Sequence, residues 1–131
     1  MAAAPAIPRR LSLLAGLVAL VVAAVRHLRS RGTVERMALE LEHPAEQAIL
    51  AIVWHSLTAI MFAFGILLIV SAWRSRGFAR GAALSAMLVH GILALVMGLI
   101  AAAHLGNPAA FYPIFPLTLT ALLSAAAFAK A

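Results

Sequence analysis

The sequence predicts an all-α integral membrane protein: a four-helix bundle with a short amphipathic surface helix in its first loop. Three observations predict it. Residues 11–25, 47–73, 81–103 and 109–129 contain no Asp, Glu, Lys or Arg. The chain is 65% hydrophobic with a mean hydropathy of +1.06, whereas soluble domains are about 45–50% apolar. A helix needs roughly 20 apolar residues to cross the hydrocarbon core of a bilayer, and 131 residues hold four such passes with little left over. The chain reads as a single domain, residues 1–131, with spans at about 8–28, 45–73, 81–104 and 109–129.

The first apolar run is short. Arg9, Arg10 and Arg26 extend it if their guanidinium heads reach up to the membrane interface. Arg9 and Arg10 before an apolar run that ends in Val22, Ala23 and Ala24 also have the outline of a signal peptide. Arg26, His27, Arg29 and Arg31 follow at once, an unfavourable context for cleavage, so the first helix is read as retained. Gly32 is expected to break the chain, with Thr33 as N-cap of the surface helix. There Val34, Met37, Ala38 and Leu41 recur at helical spacing, while Glu35, Arg36, Glu40 and Glu42 face the other way.

Pro44 suits the first turn of the second span, where its missing N–H costs nothing. Trp54 lies too deep in that span for a simple interfacial anchor, whereas Trp73 suits the aromatic belt at the far end. Residues 74–80 read as a tight basic hairpin loop, and the third helix runs on to His104. Asn107 and Pro108 repeat the cap-then-proline start signal. Pro113 and Pro116 should kink or interrupt the start of the last helix.

Lys and Arg set orientation. With both termini cytoplasmic, that side carries Arg9, Arg10, Arg74, Arg76, Arg80 and Lys130, against Arg26, Arg29, Arg31 and Arg36 opposite. The expected location is the bacterial inner membrane. The formal net charge of +6 comes from arginines flanking apolar spans, where lipid phosphate is their partner; nucleic acid is not expected.

The chain has no cysteine, which excludes thiolate nucleophiles, disulfide exchange and Cys-based metal sites. The four charge-free stretches hold no acidic residue, which argues against an exporter driven through a buried carboxylate. Glu40 and His43 have the spacing of one di-iron half-motif, but a di-iron bundle needs two, with two further glutamates. Thr118, Thr120 and Ser124 in the last helix are expected to bond back to their own helix or to a neighbour. Neither a Ser-His-Asp arrangement nor a phosphate-cradling glycine loop is present, and the reading leans against an enzyme.

The histidines are the most suggestive feature. His27, His43, His55 and His104 gather toward one membrane face, with the glutamates on the same side, and His90 lies deeper. Along the third helix Ala83, Met87, His90, Ala94, Met97, Ala101 and His104 follow steps of four and three, one face of a helix pair. Histidine and methionine are also haem and metal ligands. The candidate cofactor residues are therefore His55 and His90, or His27 and His104, for haem b or a divalent metal. The alternative is that these histidines hydrogen-bond between helices while the methionines fill gaps.

His27, Gly32, the Glu35-Arg36 pair, the Trp54-His55 pair and the turn at Gly106, Asn107 and Pro108 together resemble a group of small four-span bacterial inner-membrane proteins. The motifs are short but cover most of the chain; here Thr33 and Val34 separate Gly32 from Glu35. The resemblance implies topology and carries no established activity. It also implies that His27, Glu35, Arg36 and His55 converge at the outer face, where His27, His55 and Glu35 would bind a divalent metal or relay a proton, or where a Glu–Arg pair would tie the surface helix to the bundle with no chemistry at all.

Three functions follow as expectations. The first is a non-enzymatic membrane subunit or assembly protein, whose partners are the lipid bilayer and other membrane subunits or a second copy. The second is a haem- or metal-binding protein. The third is a small-solute channel or transporter working as a homodimer.

Overall fold

The structure, a computed structural model, describes residues 6–107 and 114–131. Four helices follow in order: α1 (Ala6–Leu39), α2 (Pro44–Ser71), α3 (Arg76–Leu105) and α4 (Ile114–Lys130). They form a bundle in which α1 packs on α2 and α4, and α3 packs mainly on α4. The first three helices are long and apolar enough to cross a membrane, and α4 is a shorter apolar helix of 17 residues. Three helices of this length and apolarity support an integral membrane protein.

Its interior follows membrane packing rules. Lipid tails are as apolar as leucine, so helices associate through small residues that let backbones approach. Ala15, Ala19, Ala23, Ala83 and Ala86 are fully buried, while Leu28, Ile52, Ile92, Leu95 and Leu99 point outward. One internal cluster joins Ala23, Met61, Ala94 and Leu117; a second joins Ala15, Leu68 and Ala86, with Phe64 and Leu123 against it. The stripe read on the third helix is its inner face: Ala83, His90, Ala94 and Ala101 are buried, Met87 and Met97 half-buried, and only His104 is exposed.

α1 and α2 meet most closely at Gly16 and Gly65. A Cβ on Gly16 would lie 2.7 Å from the Gly65 carbonyl oxygen, which belongs to the backbone and cannot step aside.

At Gly32 the structure departs from expectation. No break occurs there: α1 runs unbroken through Gly32 and Thr33 for 34 residues. The surface helix is thus the end of α1 rather than a separate element. One glycine costs a helix only about 1 kcal/mol relative to alanine, and Arg31 and Glu35 pair across it at 2.7 Å. The amphipathic pattern survives in part: Val34, Ala38 and Leu41 are half-buried and Met37 is exposed.

Residues 74–80 are also corrected. The turn is shorter, and Arg76–Arg80 form the opening of α3 behind an N-cap at Ser75. Arginine is a good helix former; loss of apolarity marks where the membrane ends, not where the helix does. α2 begins with Pro44 in its first turn, as expected. Pro116 also falls in a first turn, that of α4. Pro108 and Pro113 lie outside the described residues. Gly106 closes α3 in the left-handed region (φ 68°), with its N–H donating to the Ala102 carbonyl at 3.1 Å.

The start of α1, the α2–α3 turn and the end of α4 share one end of the bundle. Arg9 sits 5.2 Å over the Trp73 ring, Arg80 lies 4.7 Å over Phe128, and Arg76 donates to the Ala131 carbonyl. The histidines His27 and His55 are at the opposite end.

Candidate functional site

The antiparallel register of α1 and α2 builds the site. Eleven residues on from Gly16 is His27, and eleven back from Gly65 is Trp54; these two rings face each other, with centroids 6.1 Å apart. His55, the next residue, brings its ring to 5.6 Å from that of His27. Because α1 overshoots the apolar layer, its last three turns continue beside the start of α2. They add Arg31, Val34 and Glu35 to a cavity of about 320 Å³ that His27, Trp54 and His55 also line.

Arg26 holds the floor of this arrangement. Its guanidinium carbon is 3.9 Å from the Trp54 ring centre. Its Nη1 donates to Thr58 Oγ1 at 3.0 Å, and Thr58 Oγ1 donates to the Trp54 carbonyl at 3.1 Å. Arg26 does not lift its head to an interface as expected; it turns inward and is only 9% exposed. The reason is chemical: Trp54 and Thr58, four apart on one face of α2, offer a π-face and a hydroxyl to a planar cation.

Two buried hydrogen-bonding atoms of the site, His27 Nδ1 and Trp54 Nε1, have no partner among the described residues. A buried polar group without a partner costs about 1–3 kcal/mol, and the indole N–H can only donate. Glu35 belongs to the same cavity, but its Oε1 accepts from Arg31 Nε at 2.7 Å. Among the described residues no three His, Asp or Glu side chains are grouped so as to hold a metal ion. Arg36 is exposed and does not line the cavity.

His90 is elsewhere. It is fully buried, with its ring edge-on to Phe64 at 6.0 Å. A carbonyl only accepts, so His90 Nδ1–H donates to the Ala86 carbonyl at 2.9 Å, and Nε2 is left without a partner. Phe64 lies nine residues beyond His55 on α2, about 13 Å along the axis. One metal ion cannot bridge that distance with ligands at about 2 Å, so the His55–His90 pairing is not formed. His104 is exposed and lines a separate, almost wholly apolar cavity of about 360 Å³ with Met97 and Leu105. His43 is exposed at the N-cap of α2.

The structure thus unites His27 with His55 and separates both from His90. Sequence reasoning missed the roles of Arg26 and Thr58. The available signal was an arginine one residue inside His27 and an aromatic–hydroxyl pair four apart on the next helix. In α4, Thr118 and Thr120 bond back to the carbonyls of Ile114 and Pro116, each at 2.9 Å, as expected; the buried Ser124 hydroxyl has no partner among the described residues.

No protein-family model, curated protein or solved structure matches the chain.

Proposed function

We propose that this is a non-enzymatic interaction protein of the bacterial inner membrane, with both termini cytoplasmic, which recognises another membrane protein through its His27–Trp54–His55 face. One observation carries the reading. Within a bundle closed by alanine and glycine, two buried hydrogen-bonding atoms without protein partners lie on neighbouring rings at one end. A partner's polar group inserted there would satisfy both. The six basic residues at the opposite end support the orientation, and the resemblance to four-span inner-membrane proteins supports the location.

The test is photo-crosslinking in cells. A photoreactive residue at Val34, which lines the cavity, should give a discrete protein adduct that Trp54→Ala abolishes. The same residue at Leu95, on the outer face of α3, should give only diffuse lipid adducts. Equal patterns from the two positions would defeat the reading.

A second reading has its own observation. Two imidazoles sharing one tetrahedral ion have ring centroids roughly 5 Å apart, given metal–nitrogen bonds of about 2 Å. His27 and His55 stand at 5.6 Å. A divalent metal held by these two, with Glu35 as third ligand after it leaves Arg31, is the form this reading takes. Elemental analysis of protein dialysed against zinc tests it, and metal content that His27→Ala and His55→Ala leave unchanged would end it.

A further inference from the structure

A second groove of about 310 Å³ draws residues from all four helices. Its walls include Val22, Leu57, Met61, Met97 and Leu117, and among the described residues its only polar lining is Arg26 and Arg29. Val21 and Val25 at its rim are exposed, so it opens onto the apolar outside of the bundle. The residues lie in a definite order. Val22, Val25 or Arg26, and Arg29 fall along one stripe of α1 at steps of three and four. The apolar part therefore runs toward the middle of the bundle, where Met61 and Leu117 join Ala23 in the core cluster. The basic part sits at the His27 end. A groove that is aliphatic below and doubly cationic above has the polarity of a lipid, tail inward and head at the rim.

We propose that this groove binds one anionic phospholipid, an acyl chain lying against Val22, Met61, Met97 and Leu117 and the phosphate on Arg29 and Arg26. Charge complementarity selects the occupant. Basic pockets between membrane helices hold anionic head groups, and a planar guanidinium matches phosphate with paired N–H donors. Arg29 is exposed and makes no hydrogen bond or ion pair among the described residues. Arg26 already has its plane fixed by Trp54 and Thr58. It presents a positioned charge to the groove while belonging to the neighbouring site. A bound lipid would therefore lie against the back of the residue that floors the recognition cavity.

Native mass spectrometry of delipidated protein, titrated with phosphatidylglycerol and phosphatidylcholine of identical acyl chains, tests this. The phosphatidylglycerol complex should be favoured roughly ten-fold or more, since each basic residue near an anionic head group contributes about 1 kcal/mol. Arg29→Gln should cut that preference roughly five-fold, leaving the part that Arg26 supplies. Arg10→Gln, exposed at the other end, should leave the preference intact. Met97→Trp, which fills the apolar part, should reduce retention of both lipids. Circular dichroism confirms that each variant is folded. Equal retention of the two lipids by the unaltered protein would overturn the proposal. So would an unchanged preference in Arg29→Gln, or unchanged retention in Met97→Trp. Glycerol 3-phosphate has the same phosphate without the tail; competition by it as strong as that by the lipid would make this a free-anion site and overturn the lipid assignment.

Discussion

Arg26 lies with its guanidinium 3.9 Å from the centre of the Trp54 ring, one helix away, and is almost wholly buried there. Burying a cation at membrane depth is costly unless the protein offers it a face and an acceptor. Trp54 supplies the face and Thr58 the acceptor. The contact turns a residue that sequence alone assigns to the membrane surface into a part of the bundle interior.

Trp54 is therefore worth more as a ring than as a hydrogen-bond donor. Trp54→Phe keeps a face for Arg26 and discards an N–H that has no protein partner, so thermal unfolding in detergent should shift by less than about 1 kcal/mol. Trp54→Ala should cost about 3–5 kcal/mol. The crosslink from Val34 should be lost in both variants if the indole N–H is used in recognition, although only one is destabilised.

Two glycines should respond with opposite signs. Gly16→Ala drives a methyl against the Gly65 backbone carbonyl and should destabilise by about 1–3 kcal/mol. Gly32→Ala meets nothing within 4 Å in a continuous helix and should stabilise by about 0.5–1 kcal/mol. Midpoints of thermal unfolding decide both. A destabilising Gly32→Ala would restore the break at that position.

Topology can be read directly because the chain has no native cysteine. A membrane-impermeant maleimide applied to intact cells should label Glu42→Cys, between α1 and α2, and spare Ser75→Cys, between α2 and α3. The reverse pattern would invert the orientation and place the His27 site on the cytoplasmic side.

His90 should be silent in any metal experiment. It is held by Ala86 and Phe64, away from His27 and His55. His90→Leu keeps the volume roughly and removes an unpartnered Nε2, so stability should change by no more than about 1.5 kcal/mol. Zinc content after dialysis should match the unaltered protein.

The helices were legible because charge and apolarity alternate in long blocks. The inner face of α3 was legible because its small residues recur at steps of four and three. The end of the surface segment was misjudged at Gly32, where a penalty of about 1 kcal/mol for one glycine does not break a helix of 34 residues. The start of α3 was misjudged because arginine ends a membrane span without ending a helix. Of the site, the gathering of histidines at one end was visible. Which of them meet was not, since it depends on the rotation of α1 against α2, and the close approach that fixes it is at Gly16 and Gly65, eleven residues from His27 and from Trp54. Arg26 escaped notice because its partners lie 28 and 32 residues away.

Both internal clusters contain a residue of α4, Leu117 beside Ala23 in one and Leu123 beside Ala15 in the other. α1 is thus completed by α4, three helices further along the chain. Without α4, the alanines of α1 would have α2 residues Met61 and Leu68 beside them but would lack Leu117 and Leu123. The groove beside Arg29 needs Pro116 and Leu117 for its far wall, so it exists only once α4 has docked, and a lipid seated there would report that docking.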